Sequence, residues 1–359
     1  MAVMKGKPHR VTLADVARAS GFSASTVSIV LNDAPLSRFV ATKTKERIRK
    51  TAQSMGYHPN AFARSLRSRR SHSIGVLIFD ISDPFCMAVL RGIEETLHST
   101  LYLPIIMDAE NRRQQFEGYL DLLMERRVEG MVILANWLFA DIDPLSRLDK
   151  SSLPTIVIGR DLTARSIHSV ISDNEVGGYA AIEHLYELGH RKIAVLRGPE
   201  AMDDSEKRWR GIERFVAEHR LTLDPQMTPQ LPSDLDPGLE FKNGERLITE
   251  LLQAEAKFTA VVAFDDLTAL GAIRGLWKAG RRVPEDCSVV GFDDVPPASL
   301  VTPGLTTIHQ PLHDMGSFAT KFILNAIESG EFPAPAKGEK LLHLMPPTLV
   351  ERDSTSRIR

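Results

Sequence analysis

The chain has 359 residues, enough for two or three domains with sizeable cores. Hydrophobic residues make up 43% and charged residues 25%, the balance of an ordinary globular protein, and no apolar run approaches the ~18 residues of a membrane helix. The two cysteines, Cys86 and Cys287, are far apart, which argues against a disulfide framework or a thiolate metal site. The opening MAVMKGKPHR lacks the apolar core of a signal peptide, so a cytoplasmic protein is expected.

A net charge of -2 conceals an asymmetry. Residues 1–72 carry 14 Lys/Arg against 3 Asp/Glu, whereas residues 73–359 carry 30 against 43. A basic head on an acidic body implies a polyanion partner for the head alone. Regular apolar spacing in the head opposes the other reading, a disordered basic tail.

Within the head, Val11–Ser20 reads as a short helix with Thr12 as N-cap, Asp15 completing a capping box, and Leu13, Val16 and Ala17 on one face. Gly21 supplies a turn and Ser23 the next cap. A second helix, Ala24–Leu31, turns Val27, Val30 and Leu31 inward and leaves Ala24, Ser25, Ser28 and Ile29 outside. A third, Thr42–Met55, buries Ile48, Ala52 and Met55 beneath a basic outer face. Two short helices about a glycine turn match a helix-turn-helix, whose second helix enters the DNA major groove. Short polar side chains at Ser23, Ser25, Thr26 and Ser28 suit close phosphate and base-edge contact. A three-helix bundle with a merely solvated basic face satisfies the same spacing.

The stretch VTLADVARASGFSASTVSIVLN resembles the head of the LacI/GalR family of bacterial transcription regulators, with Thr26–Asn32 matching its T-V-S-x-V-L-N segment. The likeness runs through MGYHPN at 55–60 and ARSL at 63–66, and then along nearly the whole chain. It implies that Ala24, Ser25 and Ile29 hold the main base-reading positions, with Asn32 nearby. Many members carry Arg where this chain has Ile29; Arg reads guanine bidentately, whereas Ile offers only apolar contact, for instance to a thymine methyl.

Residues 59–72 join the two parts. Pro59 starts a helix readily, Asn60 can help cap it, and Ala61–Leu66 is a fair helix former but too short to persist alone. With Arg64, Arg67, Arg69 and Arg70, it is expected to fold when phosphates neutralise it. Leu66 either contacts the neighbouring domain or wedges between base steps in the minor groove. The resemblance implies the wedge, paired across a dimer, with small Ala63 allowing two such helices to approach.

From 73 to 350, apolar strands alternate with amphipathic helices in two series, which implies two doubly wound subdomains with parallel sheets covered on both faces. Ligands in that architecture sit beyond the carboxyl ends of the strands. Asp80, Asp83 and Phe85 follow Ser73–Phe79; Arg160 follows Thr155–Ile158; Asp173 opens the second series. Asp265 and Asp266 follow Ala260–Ala263, Asp293 and Asp294 follow Ser288–Gly291, and Arg208 lies early in a helix. Acids, guanidiniums and an aromatic facing a cleft suit a polyhydroxylated ligand; each acid could instead cap a helix.

The resemblance extends here. DISDPFC resembles the D-x-S-N-P-F-F segment of periplasmic-binding-protein-like sensor domains, IGR resembles I-D-R, and Arg208–Gly211 matches R-x-x-G. It implies effector contacts at Asp83, Phe85, Arg160, Arg208, Asp265 and Asp293, with Asp80 and Asp173 as further candidates. Cys86 and Gly159 depart from the usual residues.

The expected fold is α/β: a helix-turn-helix head (10–58), a hinge helix (59–72) and a two-subdomain body (73–350). The first subdomain takes about 73–172 and 303–333, the second about 173–302 and 334–350. The expected function is a transcription regulator, a repressor in most of the family, acting as a homodimer on pseudo-palindromic double-stranded operator DNA. A sugar-like effector would control it, with no cofactor, metal or membrane partner. The chain closes without a leucine-heptad tail, which favours a dimer over a coiled-coil tetramer. An enzyme with Asp265/Asp266 or Asp293/Asp294 as acid and base is the second class, but no G-x-x-x-x-G-K-[ST], G-x-S-x-G or H-E-x-x-H occurs.

Two outcomes test the head and joint. Leu66→Ala weakens binding to a specific operator well beyond its effect on nonspecific DNA in parallel titrations; equal losses rule out insertion. Ile29→Arg shifts base preference in selection from a random duplex pool; an unchanged preference places Ile29 away from the groove.

Overall fold

The structure, a computed structural model, describes residues 11–57, 70–135, 153–200, 202–232, 239–330 and 341–358. The chain divides into two units, Met1–Ser71 and His72–Arg359.

In the first unit, helix α1 (Leu13–Ser20) starts with the anticipated capping box: Asp15 N donates to Thr12 Oγ1 at 3.3 Å and Thr12 N donates to Asp15 Oδ2 at 3.0 Å. Gly21 ends it at φ 78°, a left-handed geometry that glycine adopts without a Cβ clash. Helix α2 (Ala24–Leu31) starts at Ser23, whose Oγ accepts from Thr26 N at 3.2 Å. Helix α3 (Thr42–Ser54) closes a small core of Val16, Ala17, Val27, Val30, Ile48 and Ala52. The hinge residues Asn60, Ala63, Arg64, Leu66 and Arg67 lie outside the described residues.

The second unit holds two sheets. The first contains β1 (Ser73–Ile78), β2 (Leu103–Asp108), β3 (Gly130–Leu134), β4 (Thr155–Ile158), β5 (His168–Ser172) and β10 (Leu342–Met345), all parallel, in the order β10-β5-β4-β3-β1-β2. The second contains β6 (Ile193–Leu196), β7 (Ala260–Ala263), β8 (Ser288–Asp293), β9 (Thr306–His309) and β11 (Thr348–Val350), in the order β11-β9-β8-β7-β6. Only the β11–β9 pair is antiparallel there. Strands β1, β3, β4 and β5 are buried along their whole length, as central strands covered on both faces must be.

The covering helices are α4 (Pro84–Leu97), α5 (Arg113–Glu125), α6 (Asn174–Glu187), α7 (Asp203–Glu218), α8 (Glu240–Gln253), α9 (Asp266–Lys278), the short α10 (Pro296–Leu300) and α11 (Leu312–Ser329). Leu77, Phe79, Phe116, Leu120 and Leu123 fill one face of the first sheet, and Val76, Ile78, Val89, Ile93 and Ile323 the other.

The subdomain limits differ from those expected at the C-terminal end. Strand β9 belongs to the second sheet, so the crossing falls after His309 rather than near 303. Strand β10 pairs with β5 of the first sheet, whereas the sequence pattern places 334–350 in the second. The described chain therefore passes between the sheets three times: β5 to α6, β9 to α11, and β10 to β11. Two of these crossings carry prolines, Pro311 in one and Pro346 with Pro347 in the other, and proline fixes φ.

Helix pairs approach closely where each contributes a glycine. A Cβ on Gly211 would stand 2.0 Å from Glu175 O, and one on Gly178 2.1 Å from Arg208 O. Gly244 with Gly271, and Gly92 with Gly316, repeat the arrangement in α8–α9 and α4–α11.

Gly211→Ala is expected to lower unfolding free energy by about 3 kcal/mol, since backbone rather than a yielding side chain blocks the methyl. Gly118→Ala, in α5 with nothing within 4 Å of its Cβ position, should instead gain about 0.5–1 kcal/mol. Urea unfolding of the two variants decides it; similar effects would mean that α6 and α7 can move apart freely.

Candidate functional site

On the head, Ser23, Ala24 and Ser25 are exposed at the start of α2, while Thr26 and Ile29 are half-buried. The hydroxyls of Ser23, Ser25 and Thr26 form a small network, with Ser23 Oγ 2.9 Å from Ser25 Oγ and 2.8 Å from Thr26 Oγ1. Ser28 is a correction: it was expected outside but is buried, 8% exposed. Its Oγ accepts from Asn32 Nδ2 at 3.2 Å, and its carbonyl accepts from the same amide at 2.8 Å. Ser28 therefore holds the exposed Asn32 at the end of α2 rather than presenting its own hydroxyl.

In the second unit, a cleft of about 450 Å³ opens beyond the carboxyl ends of the strands. Asp83, Pro84 and Phe85 at the start of α4 form the wall on the first-sheet side. The second-sheet side contributes Asp204, Arg208, Glu240, Phe264, Asp265 and Asp293, among others.

Arg208 is the central cation of this wall. It is 7% exposed, and its guanidinium lies 3.6 Å from the Phe292 ring centroid and 4.6 Å from that of Phe264. Its Nε donates to Asn174 Oδ1 at 2.8 Å, Nη1 to Phe264 O at 2.5 Å, and Nη2 to Asp293 Oδ1 at 3.3 Å. Asp293 Oδ1 also accepts from Gln310 Nε2 at 2.5 Å. Asp293 and Asp294 have φ of 110° and 59°, left-handed values that a side chain disfavours.

The other acids are built into helix starts and turns. Asp83 caps α4 by accepting from Phe85 N at 2.9 Å, and Asp265 caps α9 by accepting from Thr268 N at 2.7 Å. Asp266 accepts from Val295 N at 2.8 Å and Thr307 Oγ1 at 2.5 Å. Asp204 accepts from Asn174 Nδ2 at 2.9 Å. Capping and facing the cleft are thus not exclusive, because each helix begins where a strand ends.

Burial dominates the proton affinities. It lifts Asp265 above the usual carboxylate range, and Asp293 well above it despite the opposing Arg208. It pushes Asp204 to about 6, Asp266 to about 7 and Glu240 to about 11. Burial thus biases these carboxyls toward their protonated forms.

Five of the eight expected effector residues come together here: Asp83, Phe85, Arg208, Asp265 and Asp293. Three do not line the cleft. Asp80 closes its own turn, accepting from Ser82 N at 2.8 Å and Ser82 Oγ at 2.6 Å. Asp173 caps α6, accepting from Val176 N at 3.1 Å, and it is the following Asn174 that reaches Arg208 and Asp204. Arg160 stays outside the lining, although its charge is felt at Asp204. The sequence reading missed Asp204, Glu240 and Phe264. Phe264 follows β7 directly and Asp204 sits in the first turn of α7, so the strand-end rule could have found both. Glu240 carries no such signal.

Residues 12–60 match the family described as bacterial regulatory proteins, lacI family, and residues 182–355 match a periplasmic binding protein-like domain. The HTH-type transcriptional repressor PurR of Aliivibrio fischeri (strain ATCC 700601 / ES114) is 32% identical over 348 residues, 96% of this chain and 98% of that protein. PurR of Haemophilus influenzae (strain PittEE) is 32% identical over 318 residues, 88% of this chain and 91% of that protein. Among solved structures, the lac repressor dimer bound to operator and the anti-inducer ONPF superposes with a TM-score of 0.82 at 26% identity, covering 96% of this chain and 99% of that one. The transcriptional regulator CelR–cellobiose complex gives 0.68 at 27% identity, covering 96% and 100%. A LacI family regulator from Enterococcus faecium with bound ribose gives 0.67 at 30% identity, covering 80% and 100%. A helix-turn-helix head and a two-sheet sensing body, matched together along almost the whole length of repressors, place this chain in the lacI family of bacterial regulatory proteins, DNA-binding transcription regulators rather than enzymes.

Proposed function

We propose that this protein is a dimeric repressor whose hold on a pseudo-palindromic operator depends on a sugar-type effector in the cleft between its two sheets. The observation that carries the reading is the wall itself: deeply buried carboxyls gathered around one immobilised guanidinium, at the carboxyl ends of both sheets. Ligand hydroxyls can donate to the acids and accept from the two N–H groups of Arg208 that the three hydrogen bonds above leave over. Relatives crystallised with cellobiose, ribose and ONPF support a small effector at this fold.

A dimer is supported by the edge of the first sheet. Strand β2 is the last strand there; Leu103 and Ile106 stand exposed on it, Leu103 by 70%, and Leu101 just before it. Met87 of α4, a helix that packs beside β2, is exposed too. An apolar sheet edge of this kind is normally covered.

The ligand acts through differential affinity. Closing the cleft turns one sheet relative to the other about the three crossings, and an effector shifts operator affinity only as far as it prefers one arrangement. The head residues Ser23, Ala24, Ser25, Thr26, Ile29 and Asn32 would read the half-site, with the joint residues Asn60, Ala63, Arg64, Leu66 and Arg67 on the minor groove. Arg160 and Asp173 would then take part through neighbours rather than by touching the ligand.

The test selects an operator from random duplex DNA with the full-length protein, then titrates it against a panel of mono- and disaccharides. At least one sugar should change operator affinity by about tenfold or more, within the range of allosteric coupling. Arg208→Lys, which keeps the charge but loses the planar fork, should abolish the response. Selection without a palindrome, or no response to any small molecule, would overturn the reading.

A further inference from the structure

Among the described residues, six carboxyl groups line the cleft, and five have partners within the fold. Asp83 and Asp265 cap helices, Asp266 and Asp204 accept from neighbouring elements, and Asp293 is bound by Arg208 and Gln310. Glu240, in the first turn of α8, is different. It is 8% exposed, lines the cleft, and meets no hydrogen-bond donor among the described residues. Among the charges that bear on it, Asp265, Asp83 and Asp293 favour its protonated form and Arg208 opposes them. Arg208 cannot turn to serve it, because three of its N–H groups are bound and two aromatic rings hold its plane.

A buried carboxylate without a partner stays neutral or acquires a counter-charge. A ligand hydroxyl can donate one hydrogen bond to Glu240 but brings no charge. An ammonium group brings both, into a wall whose excess is acidic. Phe264 and Phe85, which also line the cleft, offer apolar surface to the ring that carries it.

We propose that the effector is a hydroxylated ring bearing a protonated amine, an amino-sugar type of ligand, with the amine seated against the Glu240 carboxylate. This rests on the reading of the cleft as the effector site and specifies its ligand class. Without a counter-charge Glu240 is held as a neutral acid, since burial and then repulsion from Asp265 raise it to about 11. When the ammonium enters, the O–H bond of Glu240 breaks, the proton passes to solvent buffer, and the carboxylate accepts an N–H bond. One proton is released for each cation bound, so affinity rises by about tenfold per pH unit while the ligand amine keeps its proton.

The experiment is calorimetric titration of the full-length protein with glucosamine, galactosamine and mannosamine, each beside its parent hexose and its neutral N-acetyl form. Each titration is run in two buffers of different ionisation enthalpy, and operator binding is measured with every compound. One amine should bind roughly 10- to 100-fold more tightly than its neutral counterparts, the range of a charge-assisted hydrogen bond, with about one proton released. Glu240→Gln, near-isosteric and uncharged, should lose both the preference and the proton release; Glu240→Asp should keep the release. Binding without proton release, or a preference that survives in Glu240→Gln, overturns the proposal. If neutral hexoses alter operator affinity and no amine does, the amine assignment fails while the effector reading of the cleft stands. If no compound of either series does so, both fail.

Discussion

Arg208 is held from four directions, and the body is built so that it can be. Its guanidinium receives Asn174 from the start of α6, the carbonyl of Phe264 from the end of β7, Asp293 from the end of β8, and the faces of Phe264 and Phe292. Such a site needs α7 to lie very close to α6. The absent Cβ of Gly178 faces the backbone carbonyl of Arg208 itself, and that of Gly211 faces Glu175 O. The glycine pair and the cation site are one construction: remove the close approach, and Arg208 no longer spans the distance to Asn174.

The same cation organises the acids. A buried guanidinium tolerates carboxylates nearby, but burial raises the proton affinity of these acids despite it. Part of the wall consequently holds protons, Asp266 to about 7 and Asp204 to about 6.

Asp293 connects this site to the crossings between the sheets. Its Oδ1 accepts from both Arg208 and Gln310, the residue between β9 and Pro311. Its neighbour Asp294 binds Arg352 Nη2 at 2.6 Å and His309 Nδ1 at 3.0 Å. Both acids sit at left-handed φ, a cost retained where two such bonding networks meet. The crossing lies one residue from the cleft wall, so no long relay is needed.

Local chemistry was legible in the chain by itself. The capping box at Thr12 and Asp15, the glycine turn at Gly21 and the apolar spacing of Val16, Val27 and Ile48 give the head directly, because each depends on residues within a turn or two. Strands such as Thr155–Ile158 and Ala260–Ala263 declare themselves by continuous apolar runs, and the positions after them point to Asp83, Phe85, Asp265 and Asp293. Other features depended on partners distant in sequence. Strand β10 lies half-buried at a sheet edge, with Leu344 exposed, and shows its allegiance only by pairing with β5. Ser28 looks like a surface serine until the head core closes over it. Asp80 and Asp173 satisfy the strand-end rule, yet the local turn or helix end takes their hydrogen bonds. Glu240 follows no strand; the fold alone brings it within reach of Asp265 and Asp293, since only tertiary packing decides which charges are buried together and which are left without a counter-charge.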